Sequence, residues 1–406
     1  MTIHKTLFLG FMLMGSAYGM ENTKVLPKGV RSFNIKSVHT TVDQKTDSVG
    51  LFHSIAEPLA KEFTFKKVLD GEKNPINKML LQAFMQGKFT ENDSLGTFTA
   101  DMKGNIQVTA AIFSYGLTDR FTLALGVPYY QAKMNVRVGF RASENAQKFV
   151  NSLNEPSNNQ TAKAREVADK LTHAVRELNR KLTDNGYSEI QDVQRSGIGD
   201  ITVAGKYLFL DHDFIKLANT SGAVAPTGYA GDPNILVNVP FGTGSWGLFT
   251  GFAADEFLRP DLWLNQYFKY TYQIPTHKNV RLKTEEETIT VAEERAWSKL
   301  GSRWETGIST QYEPWFGLVA GLGLTHAGKT GDRYDTDNQA AKETLEKDTF
   351  ERSTYWEARI GYQSIPAFKR KEFPVPFSLT LEAKRHISSM NTVVKDLYTA
   401  DFSVYF

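Results

Sequence analysis

The chain contains no cysteine among its 406 residues. That excludes disulfides, thiol nucleophiles, Cys-ligated zinc, iron–sulfur clusters and lipid attachment through sulfur. It also lacks any run of eighteen apolar residues, so it has no membrane-spanning helix. Charge of one sign is missing as well. The 47 Lys and Arg stand against 45 Asp and Glu, a formal net of +2, which supplies no polybasic field for a nucleic-acid partner. What is plentiful is aromatic: 27 Phe, 16 Tyr and 6 Trp. The length suggests two domains unless the fold is one large all-β barrel or sandwich.

Met1 to Gly19 reads as a secretory signal peptide. His4 and Lys5 supply a positive start and Thr6 to Met14 an apolar stretch. Ala17-Tyr18-Gly19 offers small residues around a cut before Met20. The remainder, 20–406, is expected to form a single domain with insertions near 41–96 and 139–196.

Alternation dominates that remainder. Successive side chains of a strand face opposite sides, so a period of two marks a strand with one apolar and one polar face. Tyr398, Ala400, Phe402, Val404 and Phe406 share one face, with Thr399, Asp401, Ser403 and Tyr405 on the other. Phe268, Tyr270 and Tyr272 alternate in the same way with Tyr267, Lys269 and Thr271, and Trp356, Ala358 and Ile360 with Glu357 and Arg359. Aromatics lie at segment ends, where interfacial girdles belong. A soluble sandwich shares the alternation, but the export signal, the aromatic terminus and the charged second faces favour an all-β transmembrane antiparallel up-and-down barrel.

Twelve strands are expected, near 29–40, 97–115, 120–138, 197–210, 215–225, 245–258, 262–274, 302–312, 317–326, 353–364, 375–387 and 395–406. Short and long connections alternate, as periplasmic turns and outer loops require, and an even count returns the C-terminus to the periplasm. The last strand, ending at Phe406, makes the barrel-assembly machinery and outer-membrane lipid the expected partners. Two long loops carry helical spacing: Val167, Leu171, Val175, Leu178 and Leu182, within a helix expected at 159–184, and Ile76, Met79, Leu80 and Phe84 within 74–86. The first is read as an extracellular cap, with a gating plug as the alternative.

By parity, the lumen is expected to hold Asp200, Glu305, Glu357, Glu382 and Asp401 with Lys206, Lys269, Arg303, Arg359 and Lys384, five charges of each sign. Several stand on neighbouring strands, where cross-strand pairing is available. Balanced charge argues against a strongly ion-selective pore. Pro128 interrupts the third strand and marks a candidate bulge in the wall, which would be curvature or a side opening.

Other motifs lead nowhere. Gly323 to Thr330 spells a phosphate-binding loop, but GDRYDTDN follows instead of a helix. Gly242, Gly244 and Gly247 spell a dinucleotide fingerprint without a βαβ unit. His386 and Ser388 share a strand face, near Asn391, but lack an identified orienting group, so an acyl hydrolase is only a remote alternative. Asp332, Asp335 and Asp337 lack the Gly-centred calcium loop. No catalytic residue, metal or cofactor is expected.

The segments YGLTDRFTLALGVPYY (115–130), SGIGDITVAGKYLFL (196–210), APTGYAGDP (225–233), GTGSWGL (242–248) and LWLNQYFKYTYQIP (262–275) resemble the outer-membrane transporter family named after the phenol meta-cleavage degradation pathway. That family is grouped near the long-chain fatty-acid outer-membrane transporters. These are strand and turn signatures that cover the middle of the chain. The resemblance implies a barrel in the bacterial outer membrane that admits small, often hydrophobic or aromatic, organic compounds as a passive channel. The alternative from another class is a structural or surface-interaction barrel.

Overall fold

A computed structural model describes residues 21–72, 74–152, 162–283, 290 and 292–406. The signal-peptide reading of Met1 to Gly19 and residues 159–161 of the expected helix lie outside them.

Twelve strands close into an antiparallel barrel in chain order: β1 Arg31–Val42, β2 Ser94–Thr118, β3 Phe121–Ala142, β4 Ile201–Asp211, β5 Ile215–Ala225, β6 Gly247–Arg259, β7 Leu262–Gln273, β8 Arg303–Tyr312, β9 Leu318–Lys329, β10 Glu351–Gln363, β11 Phe377–Met390 and β12 Leu397–Tyr405. Every strand pairs with its sequence neighbours, and β1 closes the circle by pairing with both β2 and β12. Asn34 Nδ2 reinforces that seam, donating to Asp401 Oδ1 at 2.5 Å and Ser403 Oγ at 2.7 Å. A closed ladder is one of only two ways to satisfy backbone groups in hydrocarbon. Residues 119–120, 212–214, 260–261, 313–317 and 364–376 connect the strands at the end where β1 starts and β12 finishes.

The expected outer face is present. Phe113, Leu125, Val203, Phe252, Phe268, Ile308, Leu322, Ile360, Leu381 and Phe402 all project from the barrel wall, each at least 40% exposed. At the short-turn end Phe214, Trp315, Phe316 and Phe406 form an aromatic fringe; Trp246, Trp356 and Tyr272 lie toward the other end. An apolar band flanked by aromatics is the surface a bilayer requires.

The structure departs from the sequence reading in the loops. Strands β2 and β3 run on as a hairpin, with Gly96 paired to Ala142, past the expected start at 97 and the expected end at 138 and into the 41–96 and 139–196 loops. The helices beside this hairpin bury Phe65, Leu69, Leu81, Met85, Leu95, Ala146, Phe149, Val167 and Leu171 in a small core of their own. The expected helix at 159–184 is two, α4 Ala162–Thr172 and α5 Ala174–Asp184 (α1 to α3 being Phe65–Gly71, Pro75–Met85 and Glu144–Ser152). Val167 and Leu171 face that core, while Leu182 on α5 is buried and Val175 and Leu178 are half-buried. In α2, capped by Asn74 Oδ1, the buried residues are Leu81 and Met85. Ile76 and Met79, expected on the buried face, are more than 60% exposed. Residues 275–301 and 327–352 are not plain loops: Thr276–Arg281, Glu293–Lys299 and Arg333–Asp335 pair into a three-stranded sheet.

The candidate phosphate loop lies on β9, a continuous strand, so its backbone amides are spent on the ladder.

Candidate functional site: the lumen and its extracellular mouth

Inward-facing side chains divide the lumen into two sides. On β7 to β12 and β1 they are charged and form one connected layer. Lys384 Nζ lies 2.7 Å from Glu357 Oε1, and Arg359 Nη2 lies 2.9 Å from Glu382 Oε2. Tyr267 Oη donates to Glu305 Oε1 at 2.7 Å, and Thr325 Oγ1 links Tyr267 to Glu357. Lys36 of β1, absent from the sequence-derived set, is buried beside Glu382 and Asp401. A charge taken out of water must be paired to be tolerated, and Lys384 with Glu357 and Arg359 with Glu382 are so paired.

Above Lys36 on β1, and on β2 and β3, the inward residues are mostly apolar instead. Val38, Val42, Met102, Ile106, Val108, Tyr130, Ala132 and Met134 pack against Val237, Val239 and Phe241. Those three belong to 226–246, of which the sequence reading placed 226–244 among the outer loops. It folds inward and obstructs the barrel. Phe241 stacks on Tyr130 with centroids 5.2 Å apart and planes at 15°.

Asp200 is the anchor of that inward loop. Its Oδ1 accepts from the Gly228 amide at 2.9 Å and its Oδ2 from the Thr243 amide at 2.8 Å. The glycines of the false dinucleotide fingerprint acquire a reason here: a Cβ on Gly242 would lie 2.4 Å from Asp200 Oδ1. Arg281 clamps the same loop from outside, donating to Asn234 Oδ1 and to Gly186 O and pairing with Glu293 at 2.8 Å.

Pro128 stands where β3 changes partner. Its register with β2 runs unbroken through the Ala110 pair, so the bulge is not on that side. The break is opposite: β3 pairs with β4 as far as Gly126–Thr202, then with the short strand Val193–Ile198 from Tyr129 onward. Gly199 and Asp200 occupy the gap, and the Gly199 amide donates to Pro128 O at 2.9 Å. A proline suits a position that has no amide to give.

At the short-turn end residues 22–24 contact the inner wall of the barrel. Thr23, 1% exposed, donates through its amide and hydroxyl to Asp255 Oδ2 at 3.0 and 2.6 Å. Lys206 Nζ donates to Asn22 O at 2.9 Å. Lys24 pairs with Glu313 and lies over the Trp263 ring at 5.0 Å. The remaining sequence-derived charges are also inside, Lys269 over the Phe249 ring at 4.8 Å and Arg303 near the mouth.

Above the charged layer the extracellular mouth holds a cavity of about 960 Å³. Val42, Ile55, Ile106 and Tyr229 line one side; Lys278, Arg303, Lys329 and Lys395 line another. Burial lowers Lys278 to about 8, with Asp332 and Asp200 pulling the other way. Burial lowers Lys395 to about 7, opposed by Glu351. The mouth was illegible in the sequence, because its cationic wall comes from two loops and the tops of two strands.

The remaining candidates resolve into structural roles. His386 Nε2 meets Ser389 Oγ at 2.8 Å rather than Ser388, because a register shift opposite Thr354 and Tyr355 displaces Ser388. Ser389 is buried and also bonded to Thr46 at 3.0 Å. No hydrogen bond to the other imidazole nitrogen is seen among the described residues, so the orienting group of a hydrolase dyad is not identified there. Asp332 pairs with Lys329 at 3.0 Å and accepts the Gly301 amide at 2.7 Å. No cluster of three metal-ligating side chains is present among the described residues.

No family model matches the chain, and no curated protein matches it in sequence. Among solved structures, an outer membrane channel from Pseudomonas putida F1 superposes with a TM-score of 0.54 at 12% identity, covering 96% of this chain and 99% of that one. The toluene transporter TbuX of Ralstonia pickettii gives 0.35 at 10% identity, covering 95% and 92%. The β domain of a Bordetella autotransporter also gives 0.35, at 5% identity, covering 93% and 100%. The two lower scores do not separate a transporter from an autotransporter and support no argument here. The first shows that this chain has the fold of that outer membrane channel.

Proposed function

We propose that the protein is a passive conduit in the bacterial outer membrane for small hydrophobic or aromatic organic compounds. The observation that carries this reading is the cavity at the mouth. It is built inside a closed, lipid-facing barrel and offers an apolar wall rather than a uniformly polar bore. Pockets of roughly 300–1,000 Å³ with apolar walls and a few polar groups suit small organic ligands. The fold likeness to an outer membrane channel and the sequence resemblance point the same way.

The inward loop obstructs the barrel, so passage requires its movement. The helical cap rests beside the hairpin and leaves the lumen alone, so the cap reading is preferred to the plug. The test is planar-bilayer conductance of the refolded chain, alongside uptake of an aromatic hydrocarbon by a deletion strain. Shortening 229–241 is expected to produce conductance, and removing 144–184 is expected to leave it unchanged. Silence in every variant, with normal uptake by the deletion strain, overturns the transport reading in favour of a structural barrel.

A further inference from the structure

The cavity has a chemical asymmetry that a site for hydrocarbon alone does not require. Lys395 is 4% exposed and lines the cavity, yet forms no hydrogen bond or ion pair among the described residues. Its neighbours explain why. Three of the five carboxylates that line the cavity are paired with other cations: Asp332 and Glu351 lie 3.0 and 3.6 Å from Lys329 Nζ, and Glu293 lies 2.8 Å from Arg281 Nη2; Asp232 and Asp348 are the other two. Lys278, on the same cavity, spends one hydrogen on Thr243 O. An ammonium removed from water without a partner is costly, and an incoming anion would relieve that cost. The apolar side chains of Val42, Ile55 and Ile106 line the same cavity.

We infer that this cavity binds an organic monoanion with an apolar body, of the arylalkanoate or medium-chain carboxylate class. Its carboxylate meets Lys395, and its body lies on Val42, Ile55 and Ile106. The inference rests on the conduit reading and narrows its solute from hydrocarbons in general to amphipathic acids. A neutral hydrocarbon fills the apolar wall and leaves the ammonium unmet, so the site discriminates by charge.

Binding also takes up a proton above neutral pH. Glu351 and Glu305 face Lys395 as attracting groups, with Arg303 and Lys384 as repelling ones, and burial leaves the lysine titrating at about 7. Added negative charge raises that value.

The test compares 4-phenylbutyrate with 4-phenylbutanol by calorimetry on the refolded chain in a non-ionic detergent. The acid is expected to bind about tenfold more tightly than the alcohol at pH 6.5 and to lose about tenfold by pH 8.5. Lys395→Met is expected to remove about a tenfold advantage for the acid and leave the alcohol unchanged; Lys395→Arg is expected to retain it. Equal binding of acid and alcohol, or a folded Lys395→Met chain that binds the acid as before, overturns the inference. If Lys395→Met does not fold, an acid affinity independent of pH in the unaltered chain overturns it instead. The two readings fail separately. Acid binding without conductance or an uptake defect removes the conduit and leaves the site; uptake of neutral aromatics without acid binding does the reverse.

Discussion

Lys384 and Glu357 form a 2.7 Å ion pair between β11 and β10, and each side chain is only 2% exposed. Neither group can turn to solvent if the other is removed. Lys384→Met leaves the Glu357 carboxylate buried beside Glu305 and is expected to cost roughly 3–5 kcal/mol. Lys384→Met with Glu357→Leu removes both charges and is expected to recover most of that loss. Urea unfolding followed by heat-modifiable gel migration measures the cycle. A loss in the double variant equal to the sum of the two single losses would show that the pair adds no coupling.

The Asp200 anchor makes a second prediction. Its two oxygens hold Gly228 and Thr243, on either side of the inward loop. Asp200→Ala removes both bonds, each worth roughly 1.5–3 kcal/mol for a charged acceptor. The expected result is a noisy, intermittently conducting channel where the unaltered chain is quiet. Gly242→Ala is expected to act in the same direction, since its Cβ would press on the same carboxylate. Single-channel recording checks both, and unchanged recordings from both variants would remove the loop from the closure.

These anchors explain why half of the lumen was readable from sequence and half was not. On β7 to β12 the inward residues are charged and the outward ones apolar, so Glu357, Arg359, Glu382 and Lys384 declared their side. On the upper part of β1 to β3 the contrast is inverted: Val38, Met102 and Tyr130 turn inward to meet Phe241, while His39, Lys103 and Gln131 are exposed on the outer face. A rule that puts polar residues in the lumen assigns the wrong side there, and Lys36 was lost with it. The inward loop gave no periodic signal at all. Its available clue was chemical: an acidic residue at a strand break and glycines too closely approached to carry a side chain. The helical cap was legible as helix, but not in its orientation, since Leu81 and Met85 rather than Ile76 and Met79 find the core.

Lys395 gives the folded protein a measurable pH dependence. Burial lowers it from 10.5 to about 7, so between those values the unfolded chain holds a proton that the folded chain does not. Stability therefore rises with pH across that window, and the lysine's unfavourable contribution is complete below about 7. Lys395→Met is expected to raise stability at pH 6 and to flatten this rise. Urea midpoints at pH 6, 7.5 and 9 measure it; parallel curves for the two chains would show that the ammonium is solvated.

The seam between β1 and β12 has a consequence for how the barrel forms. Residues near opposite ends of the chain, such as Asn34 and Asp401, must meet before either edge strand is satisfied. No partial sheet has all its rungs, so formation is cooperative, with the last closure carrying the whole structure. The entropic cost of that closure grows only logarithmically, by about 0.6 kcal/mol for each doubling of the enclosed chain. Long excursions such as the cap between β1 and β4 are thus tolerated: they lengthen a loop that was already long, while the rungs that reward closure stay the same in number.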